Sequence, residues 1–134
     1  MAHLKVIARY RDGRKVKGTT DNFAPDSEVF HMMSSRAKPG ERPVAVSVGD
    51  LKAIFVVRDF AGDPSRPERR YLRPGTQAYG QKLRVTFKDG EVLEGVSLTY
   101  DREVQGFFLC PADPNSNNER IFVVNAAVAE VRRL

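Results

Sequence analysis

The chain has 134 residues, with 22 Lys and Arg against 17 Asp and Glu, a formal net charge of +5 and a single cysteine. That length makes one ordinary domain or two very small ones. The lone Cys110 excludes an intramolecular disulfide and fits a reducing compartment. No apolar run approaches the ~18 residues of a membrane span, and the Met1–Leu4 start leaves no room for a signal peptide. The expected location is therefore cytoplasmic, with no membrane partner.

Leu4, Val6, Ala8 and Tyr10 alternate with Lys5, Ile7, Arg9 and Arg11. The period of two predicts a half-buried strand, and only Ile7 interrupts its polar face. Asp12-Gly13 follows as a hairpin turn, because the tight hairpin turns need positive φ. A second strand runs through Val16 to Thr20 across Gly18, where a glycine predicts a bulge or bend. Pro25-Asp26 marks a turn, and Val29 to Met33 a third strand. Ser34 to Pro43 is a loop with Pro39-Gly40. Val44, Val46 and Val48 alternate in a fourth strand, Gly49-Asp50 turns the corner, and Leu51 to Val57 forms a strongly apolar fifth.

Residues 59–81 break this pattern with three prolines and three glycines, which argues against a helix or a central strand. The segment is long for a routine connection, so it reads as an ordered functional loop or a tether. The strand pattern then returns. Leu83, Val85 and Phe87 lead into a second Asp-Gly turn at Asp89-Gly90; Val92 to Tyr100 spans Gly95; Gly106 to Cys110, Ile121 to Val124 and Val128 to Leu134 complete it. Shifted by 77 positions, residues 5–57 lie on 82–134 without a gap: Asp12-Gly13 meets Asp89-Gly90, Gly18 meets Gly95, Phe30 meets Phe107 and Val46 meets Val123. The expected fold is all-β: two tandem small five-stranded barrels related by an internal repeat, over 1–58 and 82–134, with a Pro/Gly/Arg-rich connector at 59–81.

Charge is unevenly shared. The first repeat (5–57) carries ten basic and six acidic residues, the 58–81 segment five and three, and the second repeat (82–134) seven and eight. Positive potential belongs to the first repeat and the connector, which suits nucleic acid, a nucleotide or an acidic partner. The densest cluster is Arg9, Arg11, Arg14, Lys15 and Lys17 around the first Asp-Gly turn. With Arg66, Arg69, Arg70 and Arg73 of the connector it forms the candidate nucleic-acid or anion site. The same charges would also keep an edge hairpin from aggregating. Phe23, Tyr71 and Tyr79 are the candidate base-stacking aromatics.

Catalytic signals are missing. His3 and His31 are the only histidines, one at the terminus and one in a strand, and no nucleophile has a base placed for it by the pattern. Cys110 follows Phe107-Phe108-Leu109 and reads as a small core residue. Asp113-x-Asn115-x-Asn117-x-Glu119 begins like a calcium loop, but Asn118 replaces the turn glycine and Val124 the bidentate Glu. It reads as a hairpin loop held by Asx turns. No enzyme, metal site or cofactor is expected.

The order strand, Asp-Gly turn, glycine-bearing strand, aromatic-Asp turn and two short strands around a tight corner resembles the Sm-like (SH3-type barrel) family. Lys88-Asp89-Gly90…Gly95…Tyr100-Asp101 is similar to that family's first motif. The resemblance implies small barrels, and in that family RNA binding through an Asn after the aromatic-Asp turn and an Arg-Gly or Lys-Gly corner. Here Gln105-Gly106 and Glu28-Val29 stand in the first place, and Asn125-Ala126 and Val48-Gly49 in the second. Val57 to Phe60, Gly106 to Asp113 and Phe122 to Val128 also resemble an uncharacterised bacterial domain family, which implies a bacterial source. Arg69 and Arg73 have the RxxxR spacing with which PilZ domains hold cyclic di-GMP, although Gly95-Val96-Ser97-Leu98 lacks the acidic residue and closing glycine of the second PilZ motif. The favoured function is a non-catalytic binding or adaptor module. It would take an unknown protein partner through exposed barrel edges or a groove beside the connector, with a homo-oligomer through those edges as a further expectation. RNA binding by the basic hairpin and connector is the alternative.

Overall fold

The computed structural model describes residues 3–62, 65, 67–77 and 79–134. Ten strands fill them: β1 (Leu4–Tyr10), β2 (Lys15–Thr20), β3 (Val29–Ser34), β4 (Val44–Ser47), β5 (Leu51–Val57), β6 (Gln81–Phe87), β7 (Val92–Ser97), β8 (Gly106–Pro111), β9 (Asn118–Val124) and β10 (Val128–Arg133). One-turn 3₁₀ corners at Val48–Asp50 and Asn125–Ala127 separate β4 from β5 and β9 from β10. The described residues form no helix long and apolar enough to cross a membrane.

All ten strands join one antiparallel sheet, in the order β10-β6-β7-β8-β9-β5-β1-β2-β3-β4. Pairing in the second half follows that in the first, 77 residues on. Leu4 faces Thr20 as Gln81 faces Ser97, Gly18 faces Ser34 as Gly95 faces Pro111, and Val29 faces Ser47 as Gly106 faces Val124. Both Asp-Gly turns place their glycine at positive φ, 96° at Gly13 and 94° at Gly90, as hairpin chemistry requires. Gly18 and Gly95 serve a different need. A Cβ at either would run into the carbonyl oxygen of the neighbouring strand, Met33 or Cys110, so the close approach admits only glycine.

The two five-stranded repeats are continuous in a single ten-stranded sheet. The reason lies in its centre, where β5 and β9 pair, with Ala53 opposite Val123, Ile54 opposite Phe122 and Phe55 opposite Ile121. Every residue of β5 is buried. Because side chains alternate along a strand, the two central strands feed two cores on opposite faces. Ile54, Val56, Phe122 and Val124 enter one core with Val6, Ala8, Phe30, Met32, Val46, Val48 and Leu51. Ala53, Phe55, Val57, Ile121 and Val123 enter the other with Leu83, Val85, Phe87, Phe107, Leu109 and Ala127. A 53-residue half is marginal alone, and each half here completes its core with strands of the other. Ile7, which interrupts the polar face of β1, packs against the second core.

One correction and one difference in burial follow from this arrangement. Cys110 is exposed, because alternation in β8 buries Phe107 and Leu109 and turns Phe108 and Cys110 to the other side. Phe108 is then covered by Phe23 and Phe122, at ring-centroid distances of 6.3 and 5.2 Å. The segment ending the chain is strand, as its alignment with Leu51 to Val57 implies, but its Glu130, Arg132 and Arg133 are exposed, unlike their buried counterparts in β5.

Candidate functional site

The strand exchange leaves a seam where the loop before β3 meets the start of β8. Gln105 ties the two halves here: its side-chain amide donates to the carbonyl oxygens of Pro25 and Ser27, each at 2.7 Å. On the other side, the Asn125 amide donates to the carbonyls of Asp101 and Val104, at 2.9 and 2.8 Å, and steadies the loop that follows β7. Between them lies an open groove of 590 Å³ with Val104, Phe108 and Phe122 along its floor and Asp26, Glu28 and Asp101 on its rim. The Arg120 guanidinium stacks over the Phe108 ring at 4.6 Å, so one cation stands beside the three carboxylates. Val104 is half exposed, so the groove presents apolar surface among mainly acidic side chains. The sequence signal for it was weak, because Phe108 and Val104 read as strand and turn residues until two loops 80 residues apart are brought together.

Of the basic residues singled out in the sequence, Arg9 of the hairpin and Arg69 and Arg70 of the connector line one small cavity of 160 Å³, with Glu68, Glu91 and Glu94 beside them, whereas Arg11, Arg14, Lys15, Lys17 and Arg73 do not line it. Arg9 on β1 pairs with Glu91 at 3.2 Å and lies over the Phe55 ring. Arg14 turns back on Asp12 at 2.8 Å and covers the Tyr10 ring. The Arg14 backbone N–H and guanidinium hold the Asp12 carboxyl below its ordinary range. The Lys17 ammonium donates to the Phe60 carbonyl at 3.1 Å, fastening the start of the connector. Arg11 and Lys15 are exposed at the hairpin tip.

In the connector, Arg69 is a structural clamp. Its guanidinium donates to the carbonyls of Ala112 (2.8 Å) and Tyr71 (3.2 Å), and its backbone N–H to Asp113 (3.1 Å). Its RxxxR mate Arg73 is exposed, as is Arg70. Arg66 lies outside the described residues. Buried Glu94 on β7 accepts from the Leu72 N–H at 2.9 Å and from Arg84 at 2.7 Å, while the Ser116 hydroxyl meets Glu68. Residues 68–72 are thus held against the sheet. Asp113 accepts the Asn115 N–H, an Asx turn of the kind expected of that loop, while the Asn117 side chain accepts the N–H of distant Asp59 and ties the loop to the start of the connector. Of the stacking candidates, Phe23 is taken up by Phe30 and Phe122, at 5.2 and 5.1 Å, whereas Tyr71 and Tyr79 are exposed. Among the described residues no group of three His, Cys, Asp or Glu side chains is placed to hold a metal ion.

One charged cluster escaped the sequence reading. Lys52, buried within apolar β5, directs its ammonium to Asp89 (2.7 Å) and Glu91 on the second Asp-Gly turn and over the Phe87 ring. The Lys52 hydrogen bond, with the Glu91 backbone N–H, holds the Asp89 carboxyl below its ordinary range. The signal was a lone lysine inside an apolar run, with two carboxylates 37 and 39 residues on. Among the described residues no buried side-chain nitrogen or oxygen lacks a hydrogen-bond partner, and this cluster clamps the two halves together.

The chain belongs to a family of unknown function (DUF6982), whose model matches residues 2–134. No curated protein and no solved structure matches it.

Proposed function

We propose that the protein is a non-catalytic binding module that takes an extended, apolar and basic segment of a partner protein into the seam groove. The observation that supports this most is the composition of that groove: an apolar floor at Val104, Phe108 and Phe122, with Asp26, Glu28 and Asp101 as its charged lining. Apolar area supplies affinity, and the rim charges select a cationic segment and reject an anionic one. The clamping of Arg9, Arg14, Lys17 and Arg69 by intramolecular partners also weighs against a phosphate site built from the whole basic set.

The test is titration of isotope-labelled protein with a decapeptide alternating valine and lysine, with a valine–glutamate peptide as control. The lysine peptide shifts the amides of Val104, Gln105 and Phe108, and Val104→Arg abolishes the effect. Equal binding of both peptides, or shifts confined to other surfaces, overturns the reading. The alternative is RNA binding through Arg11, Lys15, Arg70 and Arg73, which are exposed. It predicts affinity for a short single strand that falls steeply with salt. The finer architecture, two Sm-like barrels fused through a shared wall, is supported by the repeated strand order and the two cores.

A further inference from the structure

The sheet has two unpaired edges, β4 and β10, and they are not equivalent. β4 has four residues. The Val48 N–H donates inward to Glu28, so the alternation of an antiparallel ladder turns the backbone of Ala45 and position 43 outward. Position 43 is proline, which has no N–H to offer. This edge is blunted. β10 has six residues and no proline. The Leu134 N–H donates inward to Lys82, which by the same alternation turns the N–H and C=O of Val131 and Arg133 outward.

We infer that β10 pairs antiparallel with β10 of a second copy of this chain, about a two-fold axis through Val131. That register follows from three observations. Val131 has outward-facing backbone groups, so Val131 opposite its own copy makes a reciprocal pair of N–H···O=C bonds. Residues directly opposite in this register sum to a constant, which sets Glu130 against Arg132 of the second copy, and Arg132 against Glu130. The two now form an exposed pair within one strand, at 3.1 Å, that exchanges for two pairs across the axis. Finally, Val131 packs on the second core from its uncovered side, next to an open groove of 710 Å³ lined by Tyr100, Arg102 and Arg133. Seventy-seven residues earlier, Phe23 occupies the place of Tyr100, and there Phe108 and Phe122 of the other half cover it.

The competing arrangement joins β10 of one copy to β4 of the next, in the register by which β5 takes β9. It places Glu130 opposite Val46 and Arg132 opposite Val44, and sets Arg133 against Pro43. Charges would then face valines across a ladder lacking a donor. The self-pairing is favoured because it matches charge with charge and closes at two copies.

The contact is small and belongs with weak associations, below about 1,200 Å². It goes beyond the proposed use of the seam groove, and neither result depends on the other. The test is sedimentation equilibrium of the full chain with a reductant, since Cys110 is exposed, from about 10 μM to about 1 mM. The mass rises from 15.0 kDa toward twice that value. Glu130→Arg alone and Arg132→Glu alone each set like charges opposite one another and weaken association about tenfold or more. Mixing the two variants restores it, as does the double exchange in one chain. Circular dichroism confirms that each exposed-site variant is folded. A chain that stays monomeric throughout, or association unchanged in both single variants, overturns the inference.

Discussion

β5 and β10 hold the same place in their two halves, yet one is the centre of the molecule and the other its rim. Leu51 to Val57 is buried at every residue, whereas Val128 to Arg133 buries none fully. β9 and β4 differ in the same way: Phe122 is fully buried, and its counterpart Ala45 is exposed. A strand covered on both faces needs apolar residues at successive positions, and a strand with a free edge needs charge or proline to keep unwanted strands away. The divergence of the two halves in sequence is therefore a record of position. Glu130, Arg132, Arg133 and Pro43 stand where the centre has Ala53, Phe55, Val56 and Arg120.

The sharpest way to break the comparison is to empty the centre. Phe122→Ala should cost about 3–5 kcal/mol in denaturant unfolding, whereas Ala45→Ser, its counterpart, should leave the midpoint unchanged. Similar losses at both places would mean the centre is not special. Next comes Lys52→Ala, which removes the buried ammonium from Asp89 and Glu91, leaves Glu91 to Arg9 alone, and should cost about 1–3 kcal/mol. The same clamp gives a pH dependence. The folded Asp89 carboxyl sits below its ordinary range, so its contribution is full at neutral pH and declines as pH falls through and below the usual carboxylate range. Thermal melts between pH 7 and 3 should show a smaller acid-induced loss in Lys52→Ala than in the parent. Glu94→Ala should cost about 1–3 kcal/mol, by releasing the Leu72 N–H and Arg84, and should speed amide exchange at Leu72. Smallest is Arg14→Ala, an exposed pair on the hairpin, for which no shift in melting temperature is expected.

Strand positions and the 77-residue correspondence were legible because turn glycines and alternating apolar residues are local signals. The joining of the halves was not, although its trace was present: Ala53 to Val57 and Ile121 to Val124 are continuous apolar runs, which mark burial on both faces. Ile7, an apolar residue on a polar face, carried the same message, since the face it sits on meets the second core. The seam groove was illegible, because it depends on the Gln105 bridge to Pro25 and Ser27, a contact between distant loops that no local pattern encodes. The pairings of Arg9 and Lys17 were illegible for a related reason: their partners Glu91 and Phe60 come from other parts of the chain, whereas Arg14 turns back on Asp12 within its own hairpin.

The central claim is that the β5–β9 pairing makes two cores into one cooperative unit. Native-state hydrogen exchange, read amide by amide at low protein concentration, tests it most directly. The account predicts that the β5 and β9 amides facing each other exchange slowest, and only through global unfolding, while β4 and the outward N–H groups of Val131 and Arg133 exchange orders of magnitude faster. Exchange of β5 and β9 at the rate of β10, or opening of one half while the other stays protected, would contradict it.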